Sequence, residues 1–296
     1  MLLKRIYKNL KPWMRPIDRI FNEYKAYVLT DTHIVPFRKD KLAPTRRIFI
    51  DRNSPVLMVA HLDTVMPPRL HGRFKDILYG AGFDDRLGCF LAYNLSQELN
   101  CDLLLTDLEE SGQTTAQHHT CKDYNWVVEF DRAGNDVVTY DMDNPTFLAN
   151  LADYWRVGYG SFSDISMLST KACCMNLGIG YANAHAANST VDLAMLEKQL
   201  DLFRKFYALH SKTKFVREIG LARPYGFYGG HDTWTTGGLY TEDLCDFCEL
   251  ENGEEIYGYY ICRNCWNAMV EKATYQLGYG INETITNKEI LDERNS

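Results

Sequence analysis

Eight polar side chains of this 296-residue chain lie at or just beyond the ends of apolar runs, where they could bind a metal ion or move a proton. Imidazole nitrogens and carboxylate oxygens are the atoms that zinc takes in open catalytic sites. A carboxylate that does not bind the metal can act as a general base. The eight residues are His61, Asp63, Asp84, Asp85, Glu109, Glu110, Asp131 and His185.

The apolar runs predict the elements that must position these side chains. Leucine-rich stripes at 87–99 and 193–207 step at helical spacing. Between and around them lie short runs typical of buried strands, at 48–50, 56–60, 102–106, 126–130 and 172–179. This alternation predicts an α/β fold with a mostly parallel central sheet and helices on both faces. Sites in such sheets collect at the carboxyl ends of the strands, so we expect the eight side chains to meet in one crevice.

Four cysteines near the carboxyl end form a separate pattern. Two C-x2-C pairs separated by thirteen residues come close to the spacing of a four-cysteine structural zinc site. An Asn-Gly turn between the pairs predicts a β-hairpin that brings them together, as in zinc ribbons. Two disulfides are the alternative, which a cytoplasmic location disfavours. The four residues are Cys245, Cys248, Cys262 and Cys265; the other five cysteines are expected to be small apolar core residues.

Composition excludes a mostly disordered, a fibrous or a membrane-spanning protein. The chain is 46% hydrophobic and 24% charged, which is typical of a soluble globular protein. It has no apolar run long enough to cross a membrane and no signal-peptide hydrophobic region at its start. We therefore expect a cytoplasmic protein with no membrane partner. The region 241–267 has seven Asp or Glu against Arg263 alone, which disfavours nucleic acid as a partner.

The first 50 residues are basic, with twelve Lys or Arg against four Asp or Glu, although the whole chain has a net charge of −7. Such a segment is either a basic arm for an acidic partner or the solvated face of a packed helix. Trp13, Ile17, Ile20 and Phe21 fall at helical spacing among the charges. This spacing favours the packed helix.

Six short segments occur in the order of a known family and span residues 56–207. They are HLDT at 61–64, GFDDRLG at 82–88, EESG at 109–112, EFDRAG at 129–134, SFSD at 161–164 and NAHAANSTVDL at 183–193. In these segments the chain resembles the dinuclear zinc aminopeptidase, carboxypeptidase and deacylase superfamily. That superfamily includes tripeptidase T, glutamate carboxypeptidase and bacterial leucyl aminopeptidase.

The resemblance implies a role for each matched residue. Two catalytic zinc ions, or other divalent metals such as cobalt or manganese, would share Asp84 and a hydroxide. His61 and Asp131 would complete one metal site, and Glu110 and His185 the other. Glu109 would be the general base and acid, and Asp63 would orient His61. Physical chemistry agrees, because three carboxylates offset three of the four metal charges and a ligating histidine needs a partner on its second nitrogen.

The resemblance and the composition together divide the chain into five segments. They are a basic amino-terminal segment packing on the core at 1–45, a di-zinc hydrolase core at 46–219, a Gly- and aromatic-rich linker or loop at 220–240, a zinc ribbon with one structural zinc at 241–270 and a tail at 271–296. The ribbon is expected to be a structural module, a subunit contact or a wall of the substrate cleft. One hypothesis is that it covers the crevice together with the aromatic loop.

Two features depart from the resemblance. Many relatives insert a lid or dimerisation domain, but Asp84 follows His61 by 23 positions and His185 follows Asp131 by 54, so we expect a compact form without a lid. An oxyanion-stabilising residue is not matched by any motif, and the candidates are Tyr154, Tyr159 and His231. His118 and His119 match no motif either and are expected on an exposed helix face.

These features predict a metal-dependent hydrolase of an amide bond, foremost a di-zinc aminopeptidase or small-peptide peptidase. The alternatives are a deacylase of N-acyl amino acids, an amidase acting on a modified nucleotide or a protein side chain, and a vestigial scaffold that binds partners. The intact Glu109 disfavours the scaffold. Substrate contacts stay open among Arg132, Arg156 and Asp164. The sequence leaves a homo-oligomer open as well.

Overall fold

The computed structural model describes residues 6–37, 41–218, 254–256 and 259–261. The chain divides into two compact units, Met1–Tyr228 and Gly229–Ser296. Nearly all of the described residues belong to the first unit. This unit confirms the predicted α/β fold, as a mixed sheet whose central strands are mostly parallel. No helix among the described residues is long and apolar enough to cross a lipid bilayer.

The strands of the first unit form two sheets. In chain order they are β1 (Val28–Phe37), β2 (Lys41–Ile50), β3 (Val56–His61), β4 (Arg69–Phe74), β5 (Ile77–Ala81), β6 (Asp102–Thr106), β7 (Trp126–Arg132), β8 (Val137–Val138), β9 (Cys173–Gly178), β10 (Tyr181–Ala182) and β11 (Ser189–Asp192). The large sheet has the order β1-β2-β6-β3-β7-β9-β8, and the small sheet the order β10-β11-β5-β4. Strands β6, β3, β7 and β9 are parallel neighbours, so their carboxyl ends lie along one edge.

Burial on both faces explains why the central strands have continuous apolar sequences. Along β3, Val56, Met58 and Ala60 face one hydrophobic cluster, and Leu57 and Val59 face the other. Successive side chains of a strand point to opposite faces, and here both faces are buried. All five runs predicted as strands lie in the large sheet.

Five α-helices are present in the described residues: α1 (Ile6–Leu10), α2 (Ile17–Glu23), α3 (Phe83–Glu98), α4 (Pro145–Ala152) and α5 (Leu193–His210). The two leucine-rich stripes lie in α3 and α5, as predicted. Asp192 is the N-cap of helix α5, and its carboxylate accepts the backbone N–H groups of Ala194 and Met195. Such a cap satisfies donors that the first helical turn leaves without partners.

The two faces of the large sheet are covered differently. Helices α3 and α5 pack on one face, where Trp126 meets Phe203 and Phe206 edge to face. In the described residues the other face is covered by 3-10 turns at 115–118 and 164–167, which bury Ala116 and Ile165. The first of these turns comes nine residues after the end of β6.

The described part of the basic amino-terminal segment packs on the core. Ile6, Leu10, Trp13, Ile20 and Phe21 are buried in the same cluster as α3 and α5. Several of its charges are paired, through the contacts Arg15–Glu23, Arg46–Asp18 and Arg47–Asp31. The arrangement is that of amphipathic helices with a solvated face.

The second unit is described only over two short strands, β12 (Glu254–Ile256) and β13 (Tyr259–Ile261), which pair as an antiparallel hairpin. A hairpin was expected with its turn at Asn252 and Gly253, but both paired strands come after these two residues. Residues 257 and 258 separate the strands instead. Cys245, Cys248, Cys262 and Cys265, the segment 220–240 and the tail 271–296 lie outside the described residues.

Candidate metal centre

The structure brings the sequence-predicted residues of the first unit together at one edge of the large sheet. His61 is the last residue of β3, Asp131 lies near the end of β7, and Glu109 and Glu110 form a 3-10 turn after β6. Because β6, β3 and β7 are parallel neighbours, these three strand ends meet. Asp84 comes from the start of α3, and His185 from the loop between β10 and β11.

Asp84 lies between the two histidines. His61 Nε2 is 3.3 Å from Asp84 Oδ1 and 3.3 Å from Asp131 Oδ1. On the other side, His185 Nε2 is 3.2 Å from Asp84 Oδ2 and 2.9 Å from Glu110 Oε2. The Asp84 carboxylate therefore presents one oxygen to each histidine, as a carboxylate that bridges two cations must.

Three buried polar atoms of this cluster have no hydrogen-bond partner among the described residues. They are His61 Nε2, Asp131 Oδ1 and Glu110 Oε1. Buried polar atoms are normally hydrogen-bonded, and an orphaned one costs stability. Imidazole and carboxylate atoms that converge without donors between them fit divalent cations. The side chains of His61, Asp84 and Glu110 offer ligand atoms within 4.8 Å of one another.

Asp85 lies within the same ligand distance of His61 and Asp131, but both of its oxygens have backbone partners. Oδ2 accepts the N–H of His61 at 3.2 Å, and Oδ1 accepts the N–H of Gly88 at 3.0 Å. Asp85 thus fixes the backbone of β3 and α3. The two oxygens of Asp84 face the histidines instead.

Asp63 connects the two halves of the centre. The His61 Nδ1 atom, opposite the cluster, is 3.1 Å from the backbone carbonyl oxygen of Asp63 and 3.4 Å from its carboxylate Oδ1. The same carboxylate accepts the N–H groups of Glu109 at 3.2 Å and Glu110 at 3.0 Å. These bonds, with burial opposing them, lower the pKa of Asp63. One charged side chain therefore orients a ring and a loop together.

The charge of the cluster attracts cations. Burial alone would lower the pKa of His61, but the carboxylates of Asp131, Asp63 and Asp84 outweigh it and raise that pKa well above its usual value. For Asp131, burial raises the pKa well above its usual value against the influence of His61. A site that draws a proton onto imidazole and holds a carboxylate partly neutral has an excess of negative charge, which bound cations would offset.

Glu109 is placed differently from the candidate ligands. Its Oε2 is 3.7 Å from His61 Nε2, the longest of the separations in the cluster. Burial, opposed by the charge of His61, raises the pKa of Glu109 to about 7. A carboxyl group with a pKa near neutrality can both accept and return a proton, which is the requirement for a general base that later acts as acid.

The environment of His185 shows where the centre is open. The side chain of His185 is 53% exposed, whereas that of His61 is fully buried. His185 also adopts a left-handed backbone conformation with φ of 62°. Non-glycine residues hold such conformations at a cost of about 1–3 kcal/mol and often do so at functional sites.

Sequence patterns missed two residues that support the centre. Asn176 on β9 is fully buried, and its Oδ1 accepts the N–H of Asp131 at 3.0 Å. Tyr181 on β10 is almost fully buried, and its hydroxyl lies 3.4 Å from the Asp131 carbonyl oxygen. An Asn inside an apolar strand, as in 172–179, is the one signal that could have indicated the first of these.

The structure places one of the predicted oxyanion candidates in the core, where Tyr154 packs against Trp155 and Phe206. Tyr159 is 37% exposed. His231 lies outside the described residues.

The exposed helix face expected for His118 and His119 is wrong for His119. It is 4% exposed, ends a 3-10 turn and packs against Phe49. Burial lowers its pKa to about 4.

Two of the substrate-contact candidates are engaged elsewhere. Arg132 donates from Nε and Nη2 to the Asp136 carboxylate at 2.6 and 2.8 Å. Asp164 is fully buried and accepts the hydroxyls of Thr106 and Thr114. Arg156 is 86% exposed, with only a 4.0 Å approach to Asp136. Of the three, Arg156 alone has its charge in solvent.

Comparison with known proteins adds information on the fold. Neither a protein-family model nor a curated protein matches the chain. Among solved structures, a tripeptidase from Staphylococcus aureus aligns with a TM-score of 0.51 at 11% identity, covering 71% of this chain and 99% of that one.

Two other solved structures align less closely. A TET aminopeptidase from a marine-sediment Thaumarchaeota archaeon gives a TM-score of 0.46 at 14% identity, covering 70% of this chain and 96% of its own. A Pyrococcus horikoshii TET1 peptidase, which can assemble into a tetrahedron or an octahedral shell, gives 0.45 at 12% identity, covering 69% and 98%. The alignment with the tripeptidase shows that this chain shares the fold of that peptidase.

Proposed function

We propose that this chain is a metal-dependent peptidase of small peptides, with two divalent cations held on either side of Asp84. The observation that carries the proposal is the set of buried, unpartnered ligand atoms that converge on that carboxylate. His61 and Asp131 would hold one ion, and Glu110 and His185 the other. Bound divalent cations would polarise the scissile carbonyl and make water a stronger acid.

Glu109 would handle the proton in this reaction. It takes a proton from the attacking water and gives it to the amine nitrogen as the C–N bond breaks, so the carboxylate is regenerated. Its position supports this role, because its Oε2 lies 3.7 Å from His61 Nε2, beside the candidate ligands. Asp63 supports the step indirectly, because it holds the Glu109 backbone and the His61 ring on one carboxylate.

The proposed substrate is a short peptide with a free amino terminus, cleaved as an aminopeptidase would. A fold shared with a tripeptidase favours this class over N-acyl amino acids. Deacylation of an N-blocked amino acid is the competing outcome. A vestigial scaffold is disfavoured because Glu109 is intact and lies next to the candidate ligands.

Metal content and hydrolysis, measured together, test the proposal. The Glu109→Gln variant is compared with wild type and with Glu197→Gln, which changes an exposed glutamate of α5. We expect Glu109→Gln to keep its metal and to lose activity by roughly 100-fold or more, since general acid–base catalysis contributes about 10²–10⁴-fold. Glu197→Gln should match wild type.

The substrate panel separates the competing functions. Free dipeptides and tripeptides should be hydrolysed, and the same peptides blocked at the amino terminus should not. Turnover of N-acyl amino acids alone would replace the peptidase by a deacylase. A wild-type protein that binds no metal in its first unit and hydrolyses nothing would refute the proposal.

A further inference from the structure

Ser163 and Asp164 are buried residues that link the loop carrying Glu109 and Glu110 to the strand carrying Asp131. Both are 0% exposed, and they begin the 3-10 turn Asp164–Met167. We infer that this pair is a positioning element, in which Asp164 holds both ends of the Glu109–Glu110 loop and Ser163 ties that loop to β7. The inference rests on the proposed function, because it concerns the spacing of the candidate metal ligands.

Asp164 binds one residue on each side of the loop 107–113. Thr106, the last residue of β6, donates its hydroxyl to Asp164 Oδ2, and Thr114 donates its hydroxyl to Asp164 Oδ1. Thr114 Oγ1 also accepts the N–H of Ala116 at 3.0 Å, which leaves the hydroxyl proton for Asp164. A single side chain, distant in sequence, thus closes the base of the loop.

The loop itself is held at several other points. The N–H of Thr115 donates to the Asp107 carbonyl at 2.9 Å, and the N–H of Gln113 donates to the Leu108 carbonyl at 3.0 Å. Asp63 holds the tip through the N–H groups of Glu109 and Glu110. With Asp164 at the base of the loop and Asp63 at its tip, the backbone that carries Glu109 and Glu110 is held at both places.

Ser163 carries the connection to the other half of the centre. Its hydroxyl donates to Glu129 Oε2 on β7, two residues before Asp131. Its oxygen accepts the amide N–H of Asn176 at 3.3 Å, and Asn176 in turn accepts the N–H of Asp131. Ser163 and Asp164 therefore contact side chains next to Asp131 on one side and next to the Glu109–Glu110 loop on the other.

Thr114→Val is the variant that tests this positioning role. It removes the hydroxyl donor with little change in volume and leaves Asp164 Oδ1 and the Ala116 N–H without their partner. Thr114→Ser keeps the hydroxyl and is the matched control. Asp164→Asn is a second conservative variant. Its amide oxygen can accept the hydroxyl of Thr114, and its NH2 group can donate to Thr106 Oγ1. The Thr106 hydroxyl can then donate to the Ala60 carbonyl oxygen, 3.3 Å away.

The measurements are kcat, KM and zinc affinity by competition with a chelator, on the full chain. Residues that orient metal ligands typically change metal affinity or activity by roughly 10- to 100-fold when removed. We expect a loss of that size in kcat and in zinc affinity for Thr114→Val, with KM nearly unchanged. Thr114→Ser should stay close to wild type in both, and Asp164→Asn should fall between Thr114→Ser and Thr114→Val.

The comparison of Thr114→Val with wild type decides the inference. A Thr114→Val protein with a lower Tm but wild-type kcat and zinc affinity would reduce the pair to a purely structural role and overturn it. If Thr114→Val does not fold, Thr106→Val makes the same test from the other end of the loop. A wild type without metal and without hydrolysis would overturn the proposed function and this inference together, whereas an active wild type with unchanged variants would overturn this inference alone.

Discussion

Asp84 and Asp85 show how adjacent residues of one type can have different roles. The oxygens of Asp84 face His61 and His185, whereas those of Asp85 accept backbone N–H groups. The Asp-Asp pair indicated that a ligand was present. Which of the two faces the histidines depends on the backbone at the start of α3, where both have non-helical angles. Composition and periodicity do not report those angles, and only the family resemblance singled out Asp84.

This difference predicts unequal effects of two identical substitutions. Asp84→Asn removes the shared anionic ligand and should lose most of the metal bound by the first unit. Asp85→Asn keeps one oxygen acceptor and should retain the metal at reduced thermal stability, since only one backbone N–H loses its partner. Elemental analysis after dialysis makes the comparison. Equal metal loss in the two variants would show that the assignment of Asp84 is wrong.

The buried carboxyl groups predict how the metal-free protein responds to pH. Burial raises the pKa of Glu109 to about 7, and burial with the charge of Asp63 raises that of Asp107 to about 7. The pKa of His61 is also raised by its neighbouring carboxylates, against burial. Groups with raised pKa values bind protons more tightly when folded, so their contribution to the free energy of unfolding falls as pH rises from about 5 to 8. His119, whose pKa burial lowers to about 4, offsets part of this fall below its ordinary pKa of 6.5.

Calorimetry in the presence of a chelator should show this as a Tm that declines by several degrees over that range. Zinc should raise the Tm more at pH 8 than at pH 5, because cations replace the protons that the cluster has lost. The Glu109→Gln variant should show a weaker decline than wild type. A Tm in chelator that rises toward pH 8 would contradict the proposed charge balance.

At the scale of elements, burial determines what the sequence could predict. Strands β3, β6, β7 and β9 are buried on both faces and gave continuous apolar runs, and α3 and α5 gave clear stripes. The hairpin β4–β5 was missed because its first strand is largely exposed and carries Arg, His and Gly. The 3-10 turns were missed because they follow from tertiary hydrogen bonds, such as those of Asp164, rather than from periodicity.

The packing of α5 on the sheet predicts a large stability effect at one position. Phe203 is fully buried and meets Trp126 and Phe130 edge to face. Phe203→Ala should lower the free energy of unfolding by about 3–5 kcal/mol. Phe74→Ala, at a side chain 66% exposed on β4, is the control and should cost about 0.5 kcal/mol or less. Urea unfolding monitored by tryptophan fluorescence measures both, and similar costs would contradict the burial of α5.

At the scale of the whole molecule, the two units have different kinds of candidate metal ligand in their sequences. The first unit offers imidazole and carboxylate ligands, whereas the cysteine pairs of the second offer thiolates on either side of the β12–β13 hairpin. We propose that Cys245, Cys248, Cys262 and Cys265 hold one structural zinc. The spacing of the cysteines supports this, since a two-residue gap within each pair suits two ligands of one tetrahedral ion.

Substitution of one ribbon cysteine should separate the two kinds of metal. Cys245→Ser should lower the zinc content from about three ions per chain to about two, because a structural site needs all four ligands. Cys121→Ser, at a free and half-buried cysteine of the first unit, should leave the content unchanged. Peptidase activity measured on the same samples shows whether the ribbon contributes to the crevice. An unchanged zinc content in Cys245→Ser would refute the structural zinc.

The distribution of the candidate ligands along the chain has a consequence for biosynthesis. Residues 61 to 185 must all leave the ribosome before both half-sites exist, and His185 is placed only when β11 pairs with β5, more than a hundred residues earlier in the chain. Such distant pairing is slow to form and comes late in folding. A nascent chain would therefore hold cations weakly until the sheet closes, and tight metal capture would report that folding is complete.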